Sequence, residues 1–138
     1  MAKILIIEDS PLNLKLTCFL LRNVGHTALC ATDAEAGLVM ANTDQPDLIL
    51  MDIQLPGMDG LTATMLLKQR PATADIPVVA LTAMAMKLDE KKILMAGCDA
   101  YIAKPVRYRE LYSEIDRLLS RSKPPTNHQA CQIFWNQR

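Results

Sequence analysis

The run Leu48-Ile49-Leu50-Met51 is apolar at every position and is fenced by Pro46 before it and by Pro56-Gly57 shortly after it. It is too short for a stable helix, so it reads as a strand buried on both faces. Strands of that kind belong to parallel sheets covered by helices on either side. One short segment thus restricts the chain to an α/β fold. Asp52 ends the strand at the edge where open α/β sheets bind their ligands. A carboxylate there can simply cap the following turn, and its meaning depends on what the other strands bring to the same edge.

The remaining segments supply the partners. Ile4 to Ile7 is a second apolar run, ended by Glu8-Asp9, and Ser10-Pro11 gives an N-cap with proline at the first helical position. The helix that starts there runs to about Val24, with Gly25 as its stop. On a wheel Leu16, Leu20 and Val24 form one stripe flanked by Leu21, with Leu12 and Leu14 at its margins and Cys18 and Phe19 away from it, which is more apolar surface than one core face needs. Thr27 to Ala31 reads as a strand, and Asp33 opens a helix to Thr43. Leu61 to Gln69 reads as a helix, Ile76 to Leu81 as a strand ending at Thr82-Ala83, and Met84 to Ala96 as a helix closed by Gly97. Asp99 to Ala103 is the last strand and ends at Lys104-Pro105, before a helix from about Arg107 to Ser120 that turns Leu111, Ile115 and Leu118 inward. Alternating strands and helices of this number predict a flavodoxin-like (βα)5 fold: a doubly wound parallel sheet of strand order 2-1-3-4-5 in a three-layer α/β/α sandwich.

Composition narrows the function. The 138 residues suit one domain with its own core. Fifteen basic side chains balance fifteen acidic ones, so no bulk field draws in nucleic acid or an anionic membrane. No apolar stretch approaches a membrane span. Cys18, Cys30, Cys98 and Cys131 are widely spaced, and His26 and His128 are isolated. That pattern indicates reduced thiols rather than a zinc site. The few residues before the first strand leave no room for a signal-peptide core, so the expected compartment is the cytoplasm. We expect residues 1–121 to form the domain. Residues 122–138 begin with Ser122-Lys123-Pro124-Pro125-Thr126-Asn127, a linker composition, and are expected to be a disordered tail in which Ile133, Phe134 and Trp135 are the one candidate docking peptide.

In the expected strand order, Glu8-Asp9, Asp52, Thr82 and Lys104 all reach one edge. Three carboxylates and one ammonium in a cleft repel one another unless a proton or cation intervenes. A hard divalent cation resolves this, and Mg²⁺ suits Glu8, Asp9 and Asp52 supplemented by a backbone carbonyl from the turn after Asp52. Lys104 can then pair with one oxygen of an anionic phosphoryl group and Thr82 can hydrogen-bond another. Asp52 is a competent nucleophile toward phosphorus, giving an acyl phosphate.

On these motifs, together with Met-Asp-Ile-Gln-Leu-Pro around Asp52 and Tyr-Ile-Ala-Lys-Pro around Lys104, the chain resembles the receiver domains of two-component response regulators, and among them the stand-alone kind. The resemblance covers residues 3 to about 121. It implies a signalling protein rather than an enzyme, in which Asp52 accepts a phosphoryl group from the phosphohistidine of a sensor histidine kinase or a histidine phosphotransfer protein. It also implies that Glu8, Asp9, Asp52 and the Gln54 backbone carbonyl hold Mg²⁺, and that Tyr101 is a rotating switch residue coupled to Thr82. Gln54 and Met84 stand where the chemotaxis receiver has Asn and Glu, and slow self-hydrolysis is expected because apolar Met84 offers no group to orient water. Tyr101, Tyr108 and Tyr112 cluster late in the chain and suggest a face for a downstream protein. Leu12, Leu14 and Cys18 suggest a docking patch for the phosphodonor. A phosphohydrolase of the haloacid-dehalogenase type also uses a strand-end aspartate, but it wants a second Asp at the position of Gln54. A receiver that binds partners without phosphorylation is the other alternative.

Overall fold

The computed structural model describes residues 2–83 and 87–122. Its elements are β1 (Lys3–Ile7), α1 (Pro11–Asn23), β2 (Thr27–Ala31), α2 (Ala34–Asp44), β3 (Leu48–Asp52), α3 (Gly60–Gln69), β4 (Val78–Thr82), α4 (Lys87–Met95), β5 (Ala100–Ala103) and α5 (Tyr108–Ser122). The strands form one sheet of order β2-β1-β3-β4-β5, and every pairing is parallel. The expected fold class and strand order are both observed. Met84 and the tail beyond Ser122, on which the docking-peptide expectation rests, lie outside the described residues.

Alternation along the strands divides the core into two layers, because successive side chains point to opposite faces. Leu5, Ile7, Ile49, Met51, Val78 and Ala80 face one side and pack with Ala34, Leu38, Ala63, Leu67 and Ile93 of α2, α3 and α4. Ile4, Ile6, Leu48, Leu50, Val79 and Leu81 face the other and pack with Cys18 and Leu21 of α1 and Leu111, Ile115 and Leu118 of α5. β3 and β4 are buried at every position, as a central parallel strand requires. Each fully buried Leu or Ile contributes about 1.5–3 kcal/mol, which anchors the strand ends on which the site is built.

Helix α1 corrects the expected packing. Ser10 caps it, its hydroxyl accepting from the Asn13 N–H at 3.4 Å. The inward face is Thr17, Cys18 and Leu21, with Leu14 partly buried beside them. Of the stripe read from the wheel, Leu20 is partly buried against the core, whereas Leu16 and Val24 are exposed, as are Leu12 and Phe19. The physical reason is that Thr17 is small enough to sit against the sheet, so the buried stripe passes through a polar residue. The candidate docking patch changes accordingly: Cys18 is core and Leu14 is partly so, whereas Leu12, Leu16 and Phe19 are the exposed apolar side chains.

At the start of β1, Ala2 N–H donates to His26 Nδ1 at 3.1 Å. That bond needs the unprotonated ring. Burial lowers the His26 pKa first, the N-terminal amine adds to the effect, and Asp116 opposes it. A histidine with a lowered folded-state pKa contributes stability that is present above its unfolded value, 6.5, and is lost as pH falls through the folded value. Melting temperature should therefore decline as pH falls below about 6.5, and His26→Gln should flatten part of that slope. Melting curves of both proteins between neutral and mildly acidic pH check this, and an identical slope in the variant would refute it.

Candidate functional site

The register of the sheet assembles the site before any side chain is considered. Ile7 pairs with Met51, so Glu8, one residue on, arrives beside Asp52. Asp52 pairs with Leu81, and Thr82 pairs with Ala103, which places Thr82 and Lys104 at the same edge. Backbone bonds continue the ladders past the strands: Glu8 N–H to the Ala31 carbonyl at 3.0 Å, Ile53 N–H to Leu81 at 3.1 Å and Lys104 N–H to Thr82 at 2.7 Å. The Lys104-Pro105 peptide is cis. After β3 the chain turns back so that Gly60 N–H donates to the Ile53 carbonyl at 2.9 Å. This brings the first turn of α3 against the end of β3, so closely that a Cβ at Gly60 would collide with the Asp52 carbonyl oxygen.

The charged groups form a compact network. Glu8 and Asp52 are each 2% exposed. Lys104 Nζ lies 3.1 Å from Asp52 Oδ1 and 3.4 Å from Glu8 Oε1, bridging the two. The Ser10 N–H donates to Glu8 Oε2 at 3.2 Å, and the Gln54 N–H donates to Asp52 Oδ1 at 3.1 Å. Burial pushes the Glu8 carboxyl above its usual range, and its contact with Asp52 pushes it further. For Lys104, burial acts to lower the ammonium, but the adjoining Asp52 and Glu8 outweigh it and its pKa is raised. Glu8, exposed Asp9 and Asp52 each bring a carboxylate oxygen within 4.8 Å of the others. An all-oxygen set of carboxylates with excess negative charge fits a hard divalent cation. A cleft of about 350 Å³ lined by Glu8, Asn13, Thr17, Lys104 and Pro105 gives access from the α1 side.

Every expected site residue on the strand ends is therefore brought to one edge. Thr82 is 4% exposed at the end of β4. The late tyrosines do not form a single face. Tyr101 packs on the layer of α2, α3 and α4, and its hydroxyl bonds Glu90 of α4, which raises its pKa. Tyr112 donates to the Leu20 carbonyl of α1 at 2.8 Å, and Tyr108 stacks edge-on against Tyr112 with ring centres 5.9 Å apart. The turn of α5 directs this pair toward α1, on the opposite side of the sheet from Tyr101. Sequence reasoning also missed the Ser10 and Gln54 amides. Each lies two residues beyond a carboxylate, a spacing from which a short Asp or Glu turn can be read.

Removing Lys104 tests how the network is balanced. Lys104→Met leaves two buried carboxylates without their cation and should destabilise the metal-free chain by about 2–4 kcal/mol at neutral pH. Added Mg²⁺ should shrink that deficit. Thermal melts of both proteins with and without the ion read the effect, and a deficit indifferent to the ion would show that the two cations do not serve the same carboxylates.

Strand-end carboxylates around a half-buried lysine, on a sheet of this order, are the arrangement of a receiver domain, and the chain belongs to the response regulator receiver family: residues 4–116 match the response regulator receiver domain. Among curated proteins it is similar to the polar-differentiation response regulator DivK of Brucella anthropi, 45% identical over 103 residues that cover 75% of this chain and 84% of that one. The fold is shared with the receiver domain of a sensor histidine kinase from Pseudomonas aeruginosa, solved with a magnesium ion coordinated in the active site cleft. The TM-score there is 0.81 at 33% identity, covering 86% of this chain and 98% of the other. A signal receiver domain of a histidine kinase from Syntrophus aciditrophicus gives a TM-score of 0.84 at 31% identity over 92% and 96% of the two chains.

Proposed function

We propose that this chain acts as a single-domain response regulator in a cytoplasmic two-component phosphorelay, with Asp52 as the phosphoacceptor. The observation that carries the reading is Lys104 Nζ at 3.1 Å from Asp52 Oδ1, beside Glu8 and Asp9 in metal-ligand range. Among the described residues, Asp52 alone stands both in the candidate ligand group and at the end of the central strand β3. Glu8, Asp9, Asp52 and the Gln54 backbone carbonyl would hold Mg²⁺. The ion supplies charge neutralisation for the carboxylates and the incoming phosphoryl oxygens.

The donor is a phosphohistidine on a sensor histidine kinase or a histidine phosphotransfer protein. A carboxylate oxygen of Asp52 forms the new bond to phosphorus while the phosphorus–nitrogen bond breaks, and the electron pair returns to the donor imidazole. Lys104 exchanges its contact with Asp52 for one with a phosphoryl oxygen, and the Thr82 hydroxyl binds another. Thr82 thereby moves toward the site and opens space for Tyr101, which leaves Glu90 and turns inward. A downstream protein reads this change at the β5–α5 edge, Tyr101 from one side and Tyr108 and Tyr112 from the other. The exposed Leu12, Leu16 and Phe19 of α1 receive the donor. Gln54, in place of a second aspartate, leaves no general acid for a phosphohydrolase.

Incubation with acetyl phosphate and Mg²⁺, followed by peptide mass mapping, should place one alkali-labile phosphoryl group on Asp52, and a chelator should prevent it. Labelling elsewhere, or none while beryllofluoride also fails to bind, would overturn the assignment.

A further inference from the structure

We propose that Cys18 and Cys30 are an oxidation site, at which a peroxide joins α1 to the edge strand β2 through an intramolecular disulfide. The two sulfurs lie 2.9 Å apart, although the residues are twelve positions apart and on different elements. A disulfide needs about 2.05 Å, so closure asks for a movement of less than about 1 Å. The fold creates the proximity by laying the inward face of α1 over β2, the strand at the sheet edge. Among the described residues β2 is the edge strand and Cys30 on it is exposed, while Cys18 is buried beneath the helix.

This asymmetry divides the chemistry between the two thiols. A peroxide reaches exposed Cys30 first, and burial followed by the neighbouring Cys30 sulfur pushes the Cys18 thiol up to about 11, which keeps it protonated in reserve. In the first step the Cys30 sulfur takes one peroxide oxygen to give a sulfenic acid, and one water is released. In the second the Cys18 sulfur attacks the Cys30 sulfur, the sulfur–oxygen bond breaks, and the departing hydroxide takes the Cys18 proton to leave as the second water. Two thiols lose two electrons and one peroxide is reduced to two waters. Competing uses of the pair are weak. Among the described residues no other Cys, His, Asp or Glu joins it in a group able to hold a metal. Cys98 lies in the opposite layer and is engaged with the Thr64 hydroxyl at 3.8 Å.

The test is peroxide treatment of the full chain, blocking of free thiols and non-reducing tryptic mapping. Cleavage after Arg22 puts Cys18 and Cys30 on separate peptides. The expected product is one crosslinked peptide pair containing Cys18 and Cys30 in a monomeric chain, reversed by dithiothreitol. The crosslink should raise the melting temperature by roughly 5–10 °C, because it restricts the unfolded chain. Cys30→Ser, a change at an exposed position, should keep the fold and lose both the crosslink and the shift. Over-oxidation of Cys30 with Cys18 still free to alkylate would overturn the proposal. So would a crosslink from either residue to Cys98 or Cys131, or an unshifted melting temperature in the crosslinked chain.

Discussion

Asp52→Asn should reduce acetyl phosphate labelling to background while the far-ultraviolet dichroism spectrum stays that of the parent. The substitution keeps the shape of the side chain and can still accept the Gln54 N–H that now reaches Oδ1 at 3.1 Å. What it removes is the charge, and with it both the proposed nucleophile and one of the three carboxylates grouped within 4.8 Å. Mg²⁺ affinity should therefore weaken as well, measured as a smaller rise in melting temperature on adding the ion. Because Lys104 also contacts Glu8 at 3.4 Å, the ammonium retains a partner and the fold survives. Retained labelling in the variant, mapped to Glu8 or Asp9, would move the acceptor to another carboxylate of the same cluster.

Gly60→Ala is the largest effect expected outside the charged groups. The added methyl would meet the Asp52 carbonyl oxygen and would lie 2.8 Å from the Ile53 Cα, both of them backbone. No flexible side chain is available to yield, so α3 must withdraw from the end of β3 and the Ile53–Gly60 backbone bond must lengthen. A cost of about 2–4 kcal/mol in urea unfolding is expected. Displacing Asp52 by even 1 Å should slow labelling on the order of a hundredfold. Unfolding curves and labelling rates on the folded fraction separate the two effects. A variant as stable and as fast as the parent would mean that α3 does not brace the acceptor.

The sheet was legible because β1, β3 and β4 are buried on both faces, and such strands show as unbroken apolar runs whatever surrounds them. The site was legible for a related reason. In a parallel sheet all strands end at the same edge, so Glu8, Asp52, Thr82 and Lys104 could be collected without knowing a single distance. Features that depend on how a helix lies on the sheet were not legible. Thr17 in the buried face of α1 misled the wheel. The rotation of α5 sends Tyr112 to Leu20 rather than toward Tyr101, and no periodicity encodes that choice. The role of Gly60 was not legible either, since a close approach of two backbones leaves no mark in residue type beyond the glycine itself. The contact of Cys18 with Cys30 was missed because it requires both the edge position of β2 and the corrected face of α1.

The buried pairing of Glu8 with Asp52 has one more consequence. Two carboxylates in contact, with a single ammonium between them, crowd like charge into the ligand-free site, a cost that a bound cation would relieve. Any occupant that binds only the folded state adds stability in proportion to the logarithm of its concentration over its dissociation constant. An occupied site should therefore make the chain more resistant to limited proteolysis than an empty one. The same charge crowding would then tie how long each copy lasts to whether its site is occupied.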